Sequence, residues 1–313
     1  MKKRLYIGLI ILLAAIACFS GVQLAIKLYD YAKGEQSYNN LNSYVMLPES
    51  STAPAAPSSA SSAPADETSD PADLPSSSPW PVVNFGALTE INEDFVGWIR
   101  IPDTTVNYPI VQGQDNKYYL RRLFTREWNN SGCLFLDYRV NRDFSSRHSI
   151  IYGHHMQNDT MFSCLTNYSD QAYYDAHPTI YLVTPTENLE ISVLSGYVSV
   201  TDLDPWQLTF SSDDEFQRWL DTTVSRSRFK STVTPTVEDR IITLSTCSYE
   251  YSDARFILIG VARPVTDDPE NLESSGPIDE DGKSPVSSES SSEHENSQNT
   301  DDPEEAQHGS DQQ

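Results

Sequence analysis

Positive charge is scarce in this chain. Its 313 residues carry 21 Lys and Arg against 45 Asp and Glu, a net charge of −24 at pH 7. With no basic patch to displace counterions from a phosphate backbone, the chain is a poor nucleic-acid binder. The deficit is unevenly spread. From Asp267 onward there are seven Asp and eight Glu against Lys283 alone, so much of the charge describes a solvated tail. Cysteine is sparse as well. Of the four, Cys18 lies in an apolar run, and Cys133, Cys164 and Cys247 remain for the globular part. That odd number leaves at least one thiol free, which excludes a disulfide scaffold while keeping a Cys133–Cys164 pair open. The flanks also lack aliphatic and aromatic residues. Residues 48–79 are mostly Ser, Pro and Ala, and residues 266–313 are acidic and Ser-rich. Neither can bury enough apolar surface to offset chain entropy, which predicts a disordered stalk and a disordered tail. As a flexible coil the stalk spans roughly 30 Å, a reach from its point of attachment or a passive linker.

The one long apolar run is at the start. Lys2, Lys3 and Arg4 precede residues 5–26, which only Gly8, Ser20, Gly21 and Gln23 interrupt. Twenty-two helical residues span about 33 Å, enough for a hydrocarbon core of about 30 Å. The basic residues ahead of the run put residues 1–4 in the cytoplasm and the rest outside the cell membrane. A cleaved signal peptide is the rival reading, and Ala15-Ile16-Ala17-Cys18 faintly resembles a lipoprotein cleavage box. Apolar residues continue past Cys18, however, which favours an uncleaved anchor. Leu28, Tyr31, Tyr38 and Leu41 then recur at helical spacing, predicting a juxtamembrane helix within 27–47.

Residues 80–265 carry the core, and a single domain of that size needs no disulfide help. A short helix is expected over 83–91. Eight β-branched and aromatic runs follow, at 96–101, 106–111, 133–136, 149–152, 179–184, 189–200, 241–246 and 256–262, with Pro, Gly and Asn turn signals between them. The pattern predicts a mainly β fold, a barrel or a sandwich. Between the sixth and seventh runs, Ser211 and Ser212 precede Phe216, Trp219 and Leu220, a capped helix with one apolar face. It either lines a groove or packs on the wall.

Cys247 ends the seventh run and Arg255 opens the eighth. If those strands are neighbours, a thiol and a guanidinium share one edge. A thiol of ordinary pKa, about 8.5, is a weak nucleophile at neutral pH unless a base or cation activates it. Arginine is a permanent cation able to stabilise an oxyanion. A buried structural cysteine beside a surface arginine fits the same stretch. The deciding partner is a histidine, and Ile151-Tyr152-Gly153-His154-His155-Met156 sets two at a strand end. Metal ligation by the pair is disfavoured, since adjacent residues point apart and no further ligand follows at metal spacing.

These residues together resemble the class B sortases, membrane-anchored cysteine transpeptidases of Gram-positive cell surfaces. The resemblance runs from about Phe85 to Arg263. It rests on the histidine and cysteine motifs above, on Thr160-Met161-Phe162, and on four further stretches. Those are Asn92-Glu93-Asp94-Phe95-Val96-Gly97-Trp98-Ile99, Asn107-Tyr108-Pro109-Ile110-Val111-Gln112-Gly113, Asp115-Asn116-Lys117-Tyr118-Tyr119-Leu120 and Phe135-Leu136-Asp137-Tyr138-Arg139. It implies an eight-stranded sortase-type β-barrel with short N-terminal helices and a helix between the sixth and seventh strands. It also implies a Cys247 nucleophile, a catalytic His154, and an Arg255 that stabilises the oxyanion. Asn116, Leu120 and Ser245 match the groove for a sorting signal, and Ser248 offers a backbone amide to the oxyanion. The implied partners are surface proteins with a C-terminal sorting signal, cleaved after Thr, and an acceptor amine of peptidoglycan or its lipid-linked precursor. No cofactor is implied. Pilin polymerisation, plain cysteine peptidase activity and a non-enzymatic adhesin remain as alternatives. The Ser/Pro/Ala stalk and the acidic tail lie outside the family pattern.

Overall fold

The computed structural model describes residues 2–47, 80–200, 204–247 and 254–265. The expected stalk, the expected tail and Ser248 lie outside the described residues. Helix α1 (Lys2–Leu41) is one continuous 40-residue rod, about 60 Å at 1.5 Å per residue. Its two halves differ. Residues 3–29 are exposed throughout, and this stretch is long and apolar enough to cross a membrane. From Asp30 the burial turns periodic: Tyr31, Gly34, Tyr38 and Leu41 face the body of the protein, with Tyr38 and Leu41 in the main core. The helix ends at Leu41, and β1 (Val45–Met46) pairs with β2 (Val82–Val83), so residues on either side of the expected stalk pair in a two-stranded sheet. Next, Asn84 caps α2 (Phe85–Ile91) by accepting from the Ala87 amide at 3.1 Å.

The eight expected strands all form. They are β3 (Phe95–Arg100), β4 (Asn107–Val111), β5 (Leu134–Leu136), β6 (His148–Tyr152), β7 (Thr179–Val183), β8 (Asn188–Val200), β9 (Arg240–Cys247) and β10 (Ala254–Pro264). They close a barrel in the order β10-β8-β7-β3-β4-β5-β6-β9, with β9 returning to β10. Two pairings, β4–β5 and β6–β9, are parallel and the others antiparallel. Closure removes the unpaired edges an open sheet would expose. It also explains the composition of the strands: β3 and β10 are buried on both faces for most of their length, because helices and loops cover the outside as side chains fill the inside.

Helix α3 (Gln171–Ala176) is short and was not anticipated from the sequence. Helix α4 (Asp213–Ser225) is the expected insertion helix. Ser212 caps it, and three acidic residues in its first turn complement the helix dipole. Its apolar face packs on the barrel wall: Phe216, Trp219 and Leu220 form a second core with Leu194, Tyr197, Ile241, Ile257 and Ile259. Cys133 and Cys164 do not pair. Cys133 is buried against the carbonyl of Pro109, and Cys164 is partly exposed.

Candidate active site

The register of three neighbouring strands builds the site. Between antiparallel β9 and β10, Arg255 is the direct partner of Cys247. On its other side β9 runs parallel to β6, with Tyr152 opposite Ser245. The Gly153 amide continues that ladder by donating to the Ser245 carbonyl at 3.1 Å. His154 is the next residue, beyond the last paired position of β6. The structure therefore pairs Cys247 directly with Arg255 and puts His154 just past the end of β6, near enough for the Arg255 charge to act on it. The side chain of Cys247 and residues 248–253 lie outside the described residues.

Gly153 makes the exit from β6 possible. A Cβ there would run into the side chains of Leu134 and Phe162, so the chain turns tightly against both. The loop beyond is closed on itself. The Phe162 amide donates to the His154 carbonyl at 2.9 Å, and the Met156 amide donates to Ser163 Oγ at 2.8 Å.

The His154 ring is half-buried, with Nε2 2.7 Å from the carbonyl oxygen of Leu120. A carbonyl only accepts, so Nε2 carries the hydrogen and Nδ1 is left with its lone pair. Burial lowers the pKa of this imidazole; the Leu120 carbonyl opposes that shift, and the cations Arg121 and Arg255 reinforce it. His154 is therefore neutral at neutral pH, with one nitrogen able to accept a proton. Arg255 is half-buried and donates to the Ala254 carbonyl at 3.1 Å.

The remaining sequence candidates fall in different settings. Leu120 supplies the carbonyl that holds His154, and its side chain is exposed. Ser245 is buried, and its carbonyl receives Gly153. Asn116 is half-buried and belongs to a network around Asp137: its Nδ2 donates to Asp137 Oδ2 at 2.8 Å, and its Oδ1 accepts from the Tyr138 amide at 3.1 Å. Asp137 is fully buried and also receives Arg139 at 2.9 and 2.7 Å and the Tyr152 hydroxyl at 3.0 Å. Burial pushes its pKa up, but the hydrogen bonds from Arg139, Asn116 and Tyr152 outweigh it and hold the carboxyl below the ordinary range. A charged Asp137 thus pins Tyr152, two residues before His154. In the sequence Asp137 stands inside a motif with no role of its own; its signal is an acid closing an apolar strand with an arginine two residues on. Nothing in the sequence singles out Arg121. That side chain, Asp30, Tyr31 and Asn130 bound a cleft of about 380 Å³ beside His154, between α1 and the barrel. Among the described residues, no group of three or more His, Cys, Asp or Glu is arranged to hold a metal ion.

Comparison with known proteins agrees with the architecture. The sortase domain family matches residues 99–263. Sortase B of Staphylococcus aureus is 37% identical over 181 residues, covering 58% of this chain and 74% of that protein. Sortase B of Listeria monocytogenes is 37% identical over 175 residues, covering 55% and 71%. Among solved structures, the S. aureus sortase B–substrate complex aligns with a TM-score of 0.56 at 35% identity, covering 58% of this chain and 85% of that one. Sortase B of Clostridium perfringens aligns with a TM-score of 0.54 at 30% identity, covering 56% and 98%. The matched segment is the barrel that carries the histidine, cysteine and arginine, and by it the chain belongs to the sortase family as a class B transpeptidase.

Proposed function

We propose that this transpeptidase cleaves the C-terminal sorting signal of surface proteins after Thr, through a thioacyl intermediate on Cys247. The supporting observation is the direct pairing of Cys247 with Arg255 between β9 and β10, with His154 just past the end of β6, the other neighbour of β9. In this reading His154 Nδ1 takes the thiol proton. The thiolate attacks the Thr carbonyl carbon, and Arg255 stabilises the oxyanion that forms. Collapse of the adduct breaks the C–N bond, and the imidazolium gives its proton to the departing amine. The acceptor, an amine of peptidoglycan or its lipid-linked precursor, then attacks the thioester and loses a proton to His154. The thiolate leaves, and an amide replaces the thioester. The cleft beside His154 gives the acceptor room to reach the imidazole.

Asn116 acts in this scheme by holding Asp137 and the loop before Leu120, and Leu120 and Ser245 border the peptide. The exposed apolar half of α1 spans the cell membrane with the N-terminus in the cytoplasm. The test is product analysis with a fluorogenic sorting peptide and added amines, read by mass spectrometry. Wild-type chain should give a Thr–amine adduct, and Cys247→Ala should give no cleavage. Cleavage by that variant would overturn the assignment, and hydrolysis under every acceptor would identify a peptidase instead.

A further inference from the structure

The segment that holds His154 is itself held by the anchor helix. Leu120 sits in a 3-10 turn, Tyr118–Arg121, and the chain then doubles back. The Asn129 amide donates to the Arg121 carbonyl at 3.1 Å, and the Cys133 amide donates to the Tyr119 carbonyl at 3.0 Å. Gly132 closes this hairpin at φ +61°, where a Cβ would stand 2.7 Å from the carbonyl oxygens of both Leu120 and Tyr119. Only glycine fits there, with its backbone close behind the Leu120 carbonyl. A shift of Gly132 moves the acceptor of the His154 hydrogen bond.

Helix α1 grips this hairpin at several points along one face. Asp30 Oδ2 accepts from Asn130 Nδ2 at 2.7 Å, and the Asp30 carbonyl accepts from Asn129 Nδ2 at 2.9 Å. Lys33 Nζ lies 2.8 Å from Glu127 Oε2. One turn further on, the buried Tyr38 hydroxyl donates to the carbonyl of Gly132 itself. Asn130 also links Asp30 to the active-site edge, because Arg121 Nη1 donates to Asn130 Oδ1 at 2.6 Å. The exposed Lys33–Glu127 pair adds little to such a grip, whereas Tyr38 and Asp30 act on buried or half-buried groups. An anchor serving only as a tether has no need of these bonds.

We propose that the docked half of α1 is a positioning element of the active site: Asp30 and Tyr38 fix the 119–133 hairpin, so that the Leu120 carbonyl sets the tautomer and direction of His154. The inference rests on the assignment of proton transfer to His154. Loosening the hairpin weakens the Nε2–H···O bond. The ring then loses both its orientation and the carbonyl that favours its protonated form. Through α1 the exposed apolar segment is thereby linked to the active site.

The test uses the full chain in detergent micelles, with steady-state kinetics on a sorting peptide across pH. Tyr38→Phe removes one hydroxyl, and Asp30→Ala removes the acceptor for Asn130. Asp30→Asn keeps an oxygen acceptor and serves as the conservative control. The double variant Tyr38→Phe/Asp30→Ala should lower kcat about tenfold, since small misplacements of a catalytic group are costly. Its KM should stay within about twofold, and the pH limb of His154 should move to lower pH. Asp30→Asn should behave as wild type, and the two single variants carry the test if the double variant does not fold. A double variant with lowered melting temperature but wild-type kcat and pH profile would overturn the inference, as would a slower enzyme with an unmoved pH limb. His154→Ala is assayed alongside: if it retains wild-type turnover, the reading of the site itself falls.

Discussion

Strand β6 begins at one histidine and is followed closely by another, and the two could hardly be treated more differently. His148 begins the strand, is fully buried and has both nitrogens engaged. Its Nδ1 lies 2.7 Å from the Gln207 carbonyl and its Nε2 2.8 Å from Thr243 Oγ1, and the ring packs on Trp219 at 4.7 Å. Burial drives its pKa down to about 4, against an opposing effect of the Gln207 carbonyl. His154 follows the strand, is half-buried, and is bound through one nitrogen to one carbonyl, with Arg121 and Arg255 nearby. His148 ties the segment before α4 to the barrel; His154, just past the end of β6, keeps a lone pair available. A neutral imidazole is useful to catalysis only when one nitrogen is left over, so saturation of partners, more than pKa, divides the two.

The comparison breaks most visibly if the two residues exchange roles. His154→Ala should cut turnover on a sorting peptide by about a thousandfold, the middle of the range for a lost general acid–base group. Its melting temperature should stay near wild type. Next in size, Arg255→Lys should cost about a hundredfold in kcat, because an ammonium lacks the planar donor set that stabilises an oxyanion. Peptide kinetics check both, and a wild-type kcat in either variant would refute that residue's role. His148→Ala should act on the other quantity. It leaves a cavity under Trp219 and strips partners from Gln207 and Thr243, a loss of about 3 kcal/mol in stability by chemical denaturation. The folded fraction should turn over at nearly the wild-type rate.

The contrast between these histidines was only half legible in the sequence. All eight strands could be read, since β-branched runs between turn residues specify a half-buried pleated surface wherever they occur. The helix over Asp213–Ser225 announced itself through Ser212 and the spacing of Phe216, Trp219 and Leu220. The nomination of His154 came from a family resemblance, because His148, His154, His155 and His177 look alike until burial and partners are known. What stayed hidden was non-local. Pairing of Val45 with Val83 joins two-residue strands with no period of their own. Asp137 reads as a turn acid until Arg139, Asn116 and Tyr152 converge on it. The docked face of α1 showed in Tyr31, Tyr38 and Leu41, but Leu28 in the same series is exposed, and nothing in the spacing named the hairpin they meet.

Acid sharpens the comparison in a second way. The folded chain holds His148 neutral down to about pH 4, whereas an unfolded chain takes up the proton near 6.5. Its contribution to stability is therefore complete above pH 6.5 and is lost as pH falls toward 4. Linkage puts the loss at about 2 kcal/mol between pH 8 and pH 5. His154, also lowered by burial, adds in the same sense. Denaturation midpoints at the two pH values check the total, and comparison with His148→Ala isolates the larger part. A variant that retained the full acid dependence would remove His148 as its source.

The smallest change probes the hydrogen bond between His148 in β6 and Thr243 in β9. Because the Gln207 carbonyl can only accept, Nδ1 of His148 carries the hydrogen and Nε2 accepts from the Thr243 hydroxyl. Thr243→Val exchanges that hydroxyl for a methyl group of similar size, leaving one buried nitrogen without its donor. The expected loss is about 1 kcal/mol in stability, with kcat and the pH profile of turnover unchanged. Thr243 lies in β9, four residues before Cys247, and is the direct parallel partner of Ile150 in β6. If Thr243→Val slows turnover at constant folded fraction, strain at the His148 end of β6 reaches the His154 end through the β6–β9 ladder. The two histidines would then form one coupled system, and saturation of partners would no longer be enough to tell a structural imidazole from a catalytic one.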